Sequence, residues 1–249
     1  MESKETELLK RAEELLSRCE KSGTVTHTLF LTPAEQGRLT AWGRSRGCPP
    51  LFHGGCEGCE RQAAFFLPDY LEPEYFDAAD YLRAIRLTAH FGAPGHRDYL
   101  GALLAMGIGR EWLGDILVEG ERATVFCLPS VERHLLSIDR VGRIAVTAEA
   151  VSLSALPPVR RETESVTFTV MSPRLDAMVA GLFHLSRTEA ARQIIAGNVN
   201  INYELSDKTD LLVKEGDVLS LRGAGKGRIT GTGGSSRKGR LFIYGEIYK

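Results

Sequence analysis

Along the first helical stretch, Leu8, Ala12, Leu15, Leu16 and Cys19 recur three and four residues apart with Lys and Glu between them. That spacing predicts an amphipathic helix over residues 5–20. Residues 27–31 read as a strand. Thr32 followed by Pro33 opens a second helix, with threonine as N-cap and proline in the first turn. Gly47 and the Pro49-Pro50 pair end it. Residues 51–53 and 63–67 predict short strands joined by the loop Gly54-Gly55-Cys56-Glu57-Gly58-Cys59-Glu60-Arg61.

From residue 81 the alternation is clearer. Strand 81–90, helix 97–106, strands 115–119 and 122–128, helix 130–138 and strand 143–151 follow one another, with Gly120-Glu121 as a tight hairpin. A β-α-β-β-α-β order predicts a ferredoxin-like α+β layer, the layout of RNA-recognition-motif domains. Residues 122–128 lack the aromatic pattern with which those domains stack bases. The layout is therefore expected without that binding mode.

The last eighty residues predict a helical hairpin followed by strands. Ser172 reads as the cap and Pro173 as the first residue of a helix whose apolar face is Leu175, Met178, Val179 and Leu182. Ser186-Arg187-Thr188-Glu189 fits a capping box at the start of a second helix, packed through Ala190, Ile194 and Ile195 and closed by Gly197. Residues 199–201 start a strand, and Glu215-Gly216-Asp217 turns into another at 218–222. Between Gly223 and Arg240, glycine, serine, arginine and lysine form a low-complexity basic stretch that reads as a loop, with a flexible, solvated hairpin as the alternative.

Composition changes this picture in one respect. The 249 residues are 43% hydrophobic and 25% charged, and the net charge is −1. That total hides an asymmetry: residues 170–249 carry 12 Lys/Arg against 8 Asp/Glu, and residues 1–169 carry 19 against 24. A basic end on an acidic body points to an anionic partner at that end. The N-terminal residues lack a secretory apolar run, no stretch is long enough to span a membrane, and five cysteines do not suggest a disulfide framework. A cytoplasmic protein is expected.

A helix N-terminus with N–H groups and an adjacent arginine is a ready phosphate site. Arg174 and Arg187 stand at the starts of the two predicted helices and are the main candidate RNA contacts. Ser186, Arg192, Asn198, Asn200 and Asn202 are candidates for the same groove. Lys226, Arg228, Arg237, Lys238 and Arg240 are candidates for a loop that follows a phosphate backbone.

Arg174-Leu175-Asp176, Ser186-Arg187, Glu189-Ala190, Ile194 to Gly197, Val199 to Asn202 and Gly216-Asp217-Val218 together resemble the S-four RNA-binding domain, named after small-subunit ribosomal protein four. Ala191 stands where many such domains carry Lys or Gln. The similarity extends over His96 to Glu111 and Leu113 to Val118, and over Phe30 to Glu35 and Gly54-Gly55 with Glu60-Arg61. In these stretches the chain resembles the YlmH family of bacterial S-four-domain proteins. The resemblance implies an N-terminal α/β domain (residues 1–75), an RNA-recognition-motif-like middle (76–154), a linker (155–164) and an S-four domain (165–249). It also implies a non-enzymatic, cofactor-free protein that binds ribosomal RNA or tRNA on the large ribosomal subunit in stalled-ribosome quality control; no DNA partner and no membrane span are expected.

Three other readings compete. Cys48, His53, Cys56 and Cys59 are candidate zinc ligands because Cys56-x-x-Cys59 has knuckle spacing; the expectation is no metal. An RNA-modifying enzyme, a methyltransferase or pseudouridine synthase, would need a cofactor turn or a large catalytic body. Gly107-Ile108-Gly109 follows a predicted helix instead of a strand, and Gly223 to Gly227 lacks P-loop spacing. Asp98 and Asp115 read as local caps or surface residues. A protein-interaction adaptor would use the acidic first part and would respond weakly to salt.

Overall fold

The computed structural model describes residues 2–159, 162–235 and 239–248, with side chains from residue 6 onward. It is a mixed α+β structure of two compact units, residues 1–159 and 160–249.

The first unit opens with helix α1 (Glu2–Ser22), strand β1 (Thr26–His27), helix α2 (Pro33–Ser45) and strands β2 (Leu51–His53) and β3 (Ala63–Phe66). The strands form an antiparallel sheet in the order β1-β3-β2. Thr32 caps α2 through a full capping box: its hydroxyl accepts the Glu35 N–H, and the Glu35 carboxylate accepts the Thr32 N–H at 2.7 Å. The apolar stripe of α1, Ala12, Leu15 and Cys19, packs with Leu39 of α2 and Phe66 of β3. The strand expected over 27–31 is cut short. Thr28 still donates its N–H to the Ala64 carbonyl and Leu31 forms an isolated bridge to Gln62, but between them the Phe30 N–H turns to the Glu111 carbonyl at 2.8 Å.

The same unit continues through β4 (Arg83–Ala89), α3 (His96–Ala105), β5 (Leu113–Glu119), β6 (Arg122–Cys127), α4 (Pro129–Leu136), β7 (Arg140–Val141) and β8 (Ile144–Val151). These strands pair antiparallel in the order β5-β6-β4-β8-β7. The expected succession is present, with the two-residue β7 added before the last strand. Strand alternation divides the sheet. Ile85, Leu87, Val125 and Cys127 face Tyr99 and Leu103 of α3 and Leu135 of α4. Ala84, Phe126, Leu117 and Val151 face the other way and pack with Phe30, Ala63, Phe65 and the Cys56–Cys59 loop. Gly55 makes that second contact possible. Its φ is +108°, and a β-carbon there would overlap the Phe126 ring.

The second unit contains β9 (Thr163–Val170), α5 (Leu175–Leu182), α6 (Arg187–Ile195), β10 (Val199–Ile201), β11 (Glu204–Leu205), β12 (Val218–Leu221), β13 (Gly225–Ser235) and β14 (Leu241–Tyr248). All six strands form one antiparallel sheet, in the order β11-β10-β12-β13-β14-β9. Leu175, Met178, Val179 and Leu182 of α5 and Ala190 and Ile194 of α6 share a core with Val199, Leu219, Leu221, Ile229 and Ile243.

Two expectations are corrected here. Helix α5 starts at Leu175 with Arg174 at the cap position, where its side chain accepts no hydrogen bond from the first turn, so Ser172 and Pro173 lie outside it. The segment before the helix is held as extended chain instead: the Pro173 carbonyl accepts the Val213 N–H, and Arg174 forms a β-bridge with Leu212. The described part of the glycine-rich stretch is also strand and not loop, in keeping with the hairpin alternative. Eleven of its residues form β13, paired on both sides by β12 and β14, and those ladders supply the order that its composition does not.

Candidate nucleic-acid interface

Asp176 lies in the first turn of α5 with its side chain only 10% exposed. Its Oδ2 accepts a hydrogen bond from Arg187 Nη2 at 2.6 Å. Its Oδ1 accepts one from Arg174 Nε at 3.4 Å and one from the Ala177 N–H at 2.8 Å. Arg187 is the first residue of α6 and Arg174 is the cap of α5. One buried carboxylate therefore holds two guanidiniums from the starts of two helices. Their side chains stay 61% and 40% exposed. Each guanidinium has five N–H donors in a planar fork, and one from each suffices for these contacts. The remaining donors and a net positive charge face solvent, which suits a phosphate or a carboxylate.

The backbone contribution is smaller than the sequence suggests. The first N–H groups of α5 are not bare: Leu175 donates to Leu211 O at 2.8 Å and Asp176 to Thr209 O at 3.0 Å. At α6, Ser186 caps as expected and its hydroxyl accepts the Glu189 N–H at 3.1 Å. The capping box stays half-closed, because the Glu189 carboxylate turns to Arg192 at 2.6 Å and Gln193 at 2.7 Å. Those two hydrogen bonds, Arg192 first, also hold its carboxyl below the usual value. At α5, then, an anion would meet side chains and not free helix amides.

The other candidates divide between two faces. Arg192 lies along α6, exposed and paired with Glu189. Asn198 donates its amide to Gln193 Oε1 at 2.8 Å. Asn202, at φ +49°, donates to Asp217 Oδ1 and accepts the Val218 N–H, so it closes a turn. Asn200, opposite Ser220, and Lys226 and Arg228 of β13 project from the sheet face turned away from α5 and α6. Asn200 donates to Ser220 Oγ at 3.3 Å. Arg240 donates to the Thr169 carbonyl at 2.7 Å. Arg237 and Lys238 lie outside the described residues.

In the first unit, Asp98 caps α3 by accepting the Gly95 N–H at 2.8 Å. Asp115 does more than cap: it accepts the N–H groups of Glu60 at 2.7 Å and Arg61 at 3.1 Å, tying β5 to the glycine loop. Arg61 and Arg110 both donate to the Leu113 carbonyl, and burial lowers both above any effect of neighbouring charges, Arg110 to about 10. This half-buried cation pair, which lies in the stretches that carry the family resemblance but was not named as a site, is held by backbone carbonyls. The Cys56 and Cys59 sulfurs come within 3.4 Å. His53 Nδ1 accepts the Gly55 N–H at 3.0 Å. Among the described residues, no group of three or more His, Cys, Asp or Glu side chains is placed to hold a metal.

Comparison with known proteins gives these sites a family. Residues 73–155, the β4–β8 layer and its flanks, match the family described as "Putative RNA-binding domain in YlmH". The chain is also 31% identical over 223 residues to "Ribosome-associated protein quality control protein P2" of Bacillus subtilis (strain 168), covering 89% of this chain and 87% of that one. The chain belongs to the YlmH family. A solved structure, "Cell division protein ylmH from Streptococcus pneumoniae", shares the fold over 61% of this chain and 93% of its own, with a TM-score of 0.51 and 22% identity. Among the described residues no helix is long and apolar enough to cross a membrane.

Proposed function

We propose that this chain is a non-enzymatic, cytoplasmic RNA-binding protein that grips ribosomal RNA or tRNA on the large ribosomal subunit during quality control of stalled ribosomes. The observation that carries the proposal is the pair of exposed guanidiniums, Arg174 and Arg187, oriented by the buried Asp176. A fixed double fork matches a phosphodiester backbone, and orienting it before binding removes part of the entropy cost of the contact. The B. subtilis relative, named for ribosome-associated quality control, supports the setting.

In this reading residues 165–249 are an S-four RNA-binding domain, residues 76–154 a ferredoxin-like domain of the RNA-recognition-motif layout, and residues 1–75 an α/β domain in front of it. The middle sheet would not read bases across its whole open face, because Phe126 and Ala84 are buried beneath the N-terminal layer. Crosslinking the protein to RNA in cells, followed by sequencing of the attached RNA, tests the proposal. Large-subunit rRNA or tRNA should be enriched over total RNA, and should be lost in the Arg174→Ala/Arg187→Ala variant. Enrichment of neither RNA would contradict it.

A further inference from the structure

The outer face of the six-stranded sheet is unlike an ordinary solvated surface. Along β14, Leu241, Ile243 and Ile247 pack on the core, so the alternate residues Phe242, Tyr244, Glu246 and Tyr248 face outward. Tyr244 is 46% exposed and Phe242 36%. The neighbours of Tyr244 are too small to cover it: Gly231 lies opposite on β13 and Thr167 opposite on β9. A β-carbon at Gly233 would sit 3.0 Å from Cε2 and the hydroxyl oxygen of Tyr244. The ring therefore runs along the bare backbone of β13, and a larger residue there would lift it. Glycine weakens a strand interior, so its use beside an exposed ring calls for a reason.

The chemistry around the rings is cationic and hydroxylated. Lys226 Nζ lies 5.5 Å from the Tyr203 ring centroid and 5.1 Å from that of Tyr248. Arg228 is exposed two residues further along the same face, with Glu246 across from it. On β9, Thr163, Thr167 and Thr169 line up beside Tyr248, Tyr244 and Phe242. Two large exposed rings among hydroxyls, glycines and cations are too few to form the apolar centre of a protein interface. They suit a ligand with flat faces, polar edges and negative charge.

We propose that this face is a stacking platform for the unpaired bases of single-stranded RNA, with Phe242 and Tyr244 as the stacking rings and Lys226 and Arg228 beside the backbone. The spacing favours a single strand over a duplex. Residues two apart on a strand lie about 7 Å apart, roughly twice the 3.4 Å per base of a stacked duplex strand. Two such rings accept splayed bases, and every base offers a π-face. The proposal rests on reading the chain as an RNA-binding protein, but it uses none of the groups at the Arg174–Arg187 site.

The test is fluorescence anisotropy on the full chain with two labelled probes, a single-stranded oligouridylate and a fully paired RNA hairpin, over a range of salt. Tyr244→Ser and Phe242→Ser should each weaken oligouridylate binding by about fivefold to 150-fold, the range for loss of one stacked base. The log–log salt slope should not change, since no charge is removed, and hairpin affinity should hold. Tyr244→Trp should bind at least as well as the parent, and Tyr244→Leu, which fills space without stacking, should bind like the serine variant. Parent-like oligouridylate binding by Tyr244→Leu and Phe242→Ser overturns the platform, and so does a Tyr244→Ser effect confined to ribosome co-sedimentation, which would mark a protein-docking face. If Arg187→Ala alone weakens both probes, the platform fails and the RNA reading stands. If the parent protein binds neither probe at low salt, both fail.

Discussion

Arg187 Nη2 and Asp176 Oδ2 lie 2.6 Å apart, joining an exposed cation at the start of α6 to a buried anion at the start of α5. The contact has two consequences at once. It closes the helical hairpin, and it aims a guanidinium at solvent.

These consequences separate by mutation. Arg187→Ala leaves Asp176 Oδ2 without its hydrogen bond, while Oδ1 keeps the Ala177 N–H and the longer 3.4 Å contact to Arg174, and should cost about 1–3 kcal/mol of stability, the range for an unsatisfied buried acceptor. It should also weaken RNA binding by a similar amount. Asp176→Asn/Arg187→Ala should be more stable than the two single losses added together, with a coupling of roughly 0.5–3 kcal/mol. Denaturant titrations of the four proteins measure it; strict additivity would mean that the contact contributes nothing.

Arg187→Lys keeps the charge but not the planar fork. It should recover most of the stability lost in Arg187→Ala and only part of the RNA affinity, because an ammonium cannot grip a phosphate through two parallel donors. Equal affinity for lysine and arginine variants in a binding titration would reduce the site to a point charge.

Acid should loosen the first unit. Burial holds the His53 imidazole below its ordinary value of 6.5, against a smaller upward pull from Asp77. Its Nδ1 accepts the Gly55 N–H, which only an unprotonated nitrogen can do. His96 is lowered too, by burial first and then by Arg110. A depressed histidine binds fewer protons folded than unfolded, so stability rises with pH through the window between its folded value and 6.5. The contribution is complete above that window and is lost as pH falls through it. Tm should drop between about pH 7.5 and about pH 5.5, and less so in His53→Asn. An identical drop in the variant would remove His53 from the explanation.

Gly55 should not tolerate a side chain. At φ +108°, with the Phe126 ring where a β-carbon would go, Gly55→Ala should destabilise the protein by roughly 1–3 kcal/mol through overpacking alone. Gly55→Ala/Phe126→Leu should recover part of that loss. A thermal scan showing an unchanged Tm for Gly55→Ala would mean that the loop is not pressed against the sheet.

How far these features could be read from residues varies with their cause. The amphipathic α1, the Thr32 cap, the β4–β8 succession and the Ser186 cap were legible because local spacing and capping chemistry determine them. Strand β13 was not, because Gly231, Gly233 and Gly234 carry no β preference and the strand exists through its partners. The start of α5 was misplaced because the Leu211 and Thr209 carbonyls that take its first amides lie more than thirty residues away. Arg174 and Arg187 stood out in the sequence, but their joining through Asp176 is a tertiary fact. The outward rings Phe242 and Tyr244 had a visible signal in the alternation Leu241-Phe242-Ile243-Tyr244, passed over because the stretch before it resembled a loop.

The most direct test of the account is the salt dependence of binding to large ribosomal subunits, measured for the parent chain and for Arg174→Ala/Arg187→Ala. The parent's log affinity should fall linearly with log salt, and the double variant should bind more weakly with a slope shallower by about 1.4, the release expected for two phosphates on single-stranded RNA. A folded double variant with the parent's affinity and slope would contradict the assignment of this pair as the RNA grip.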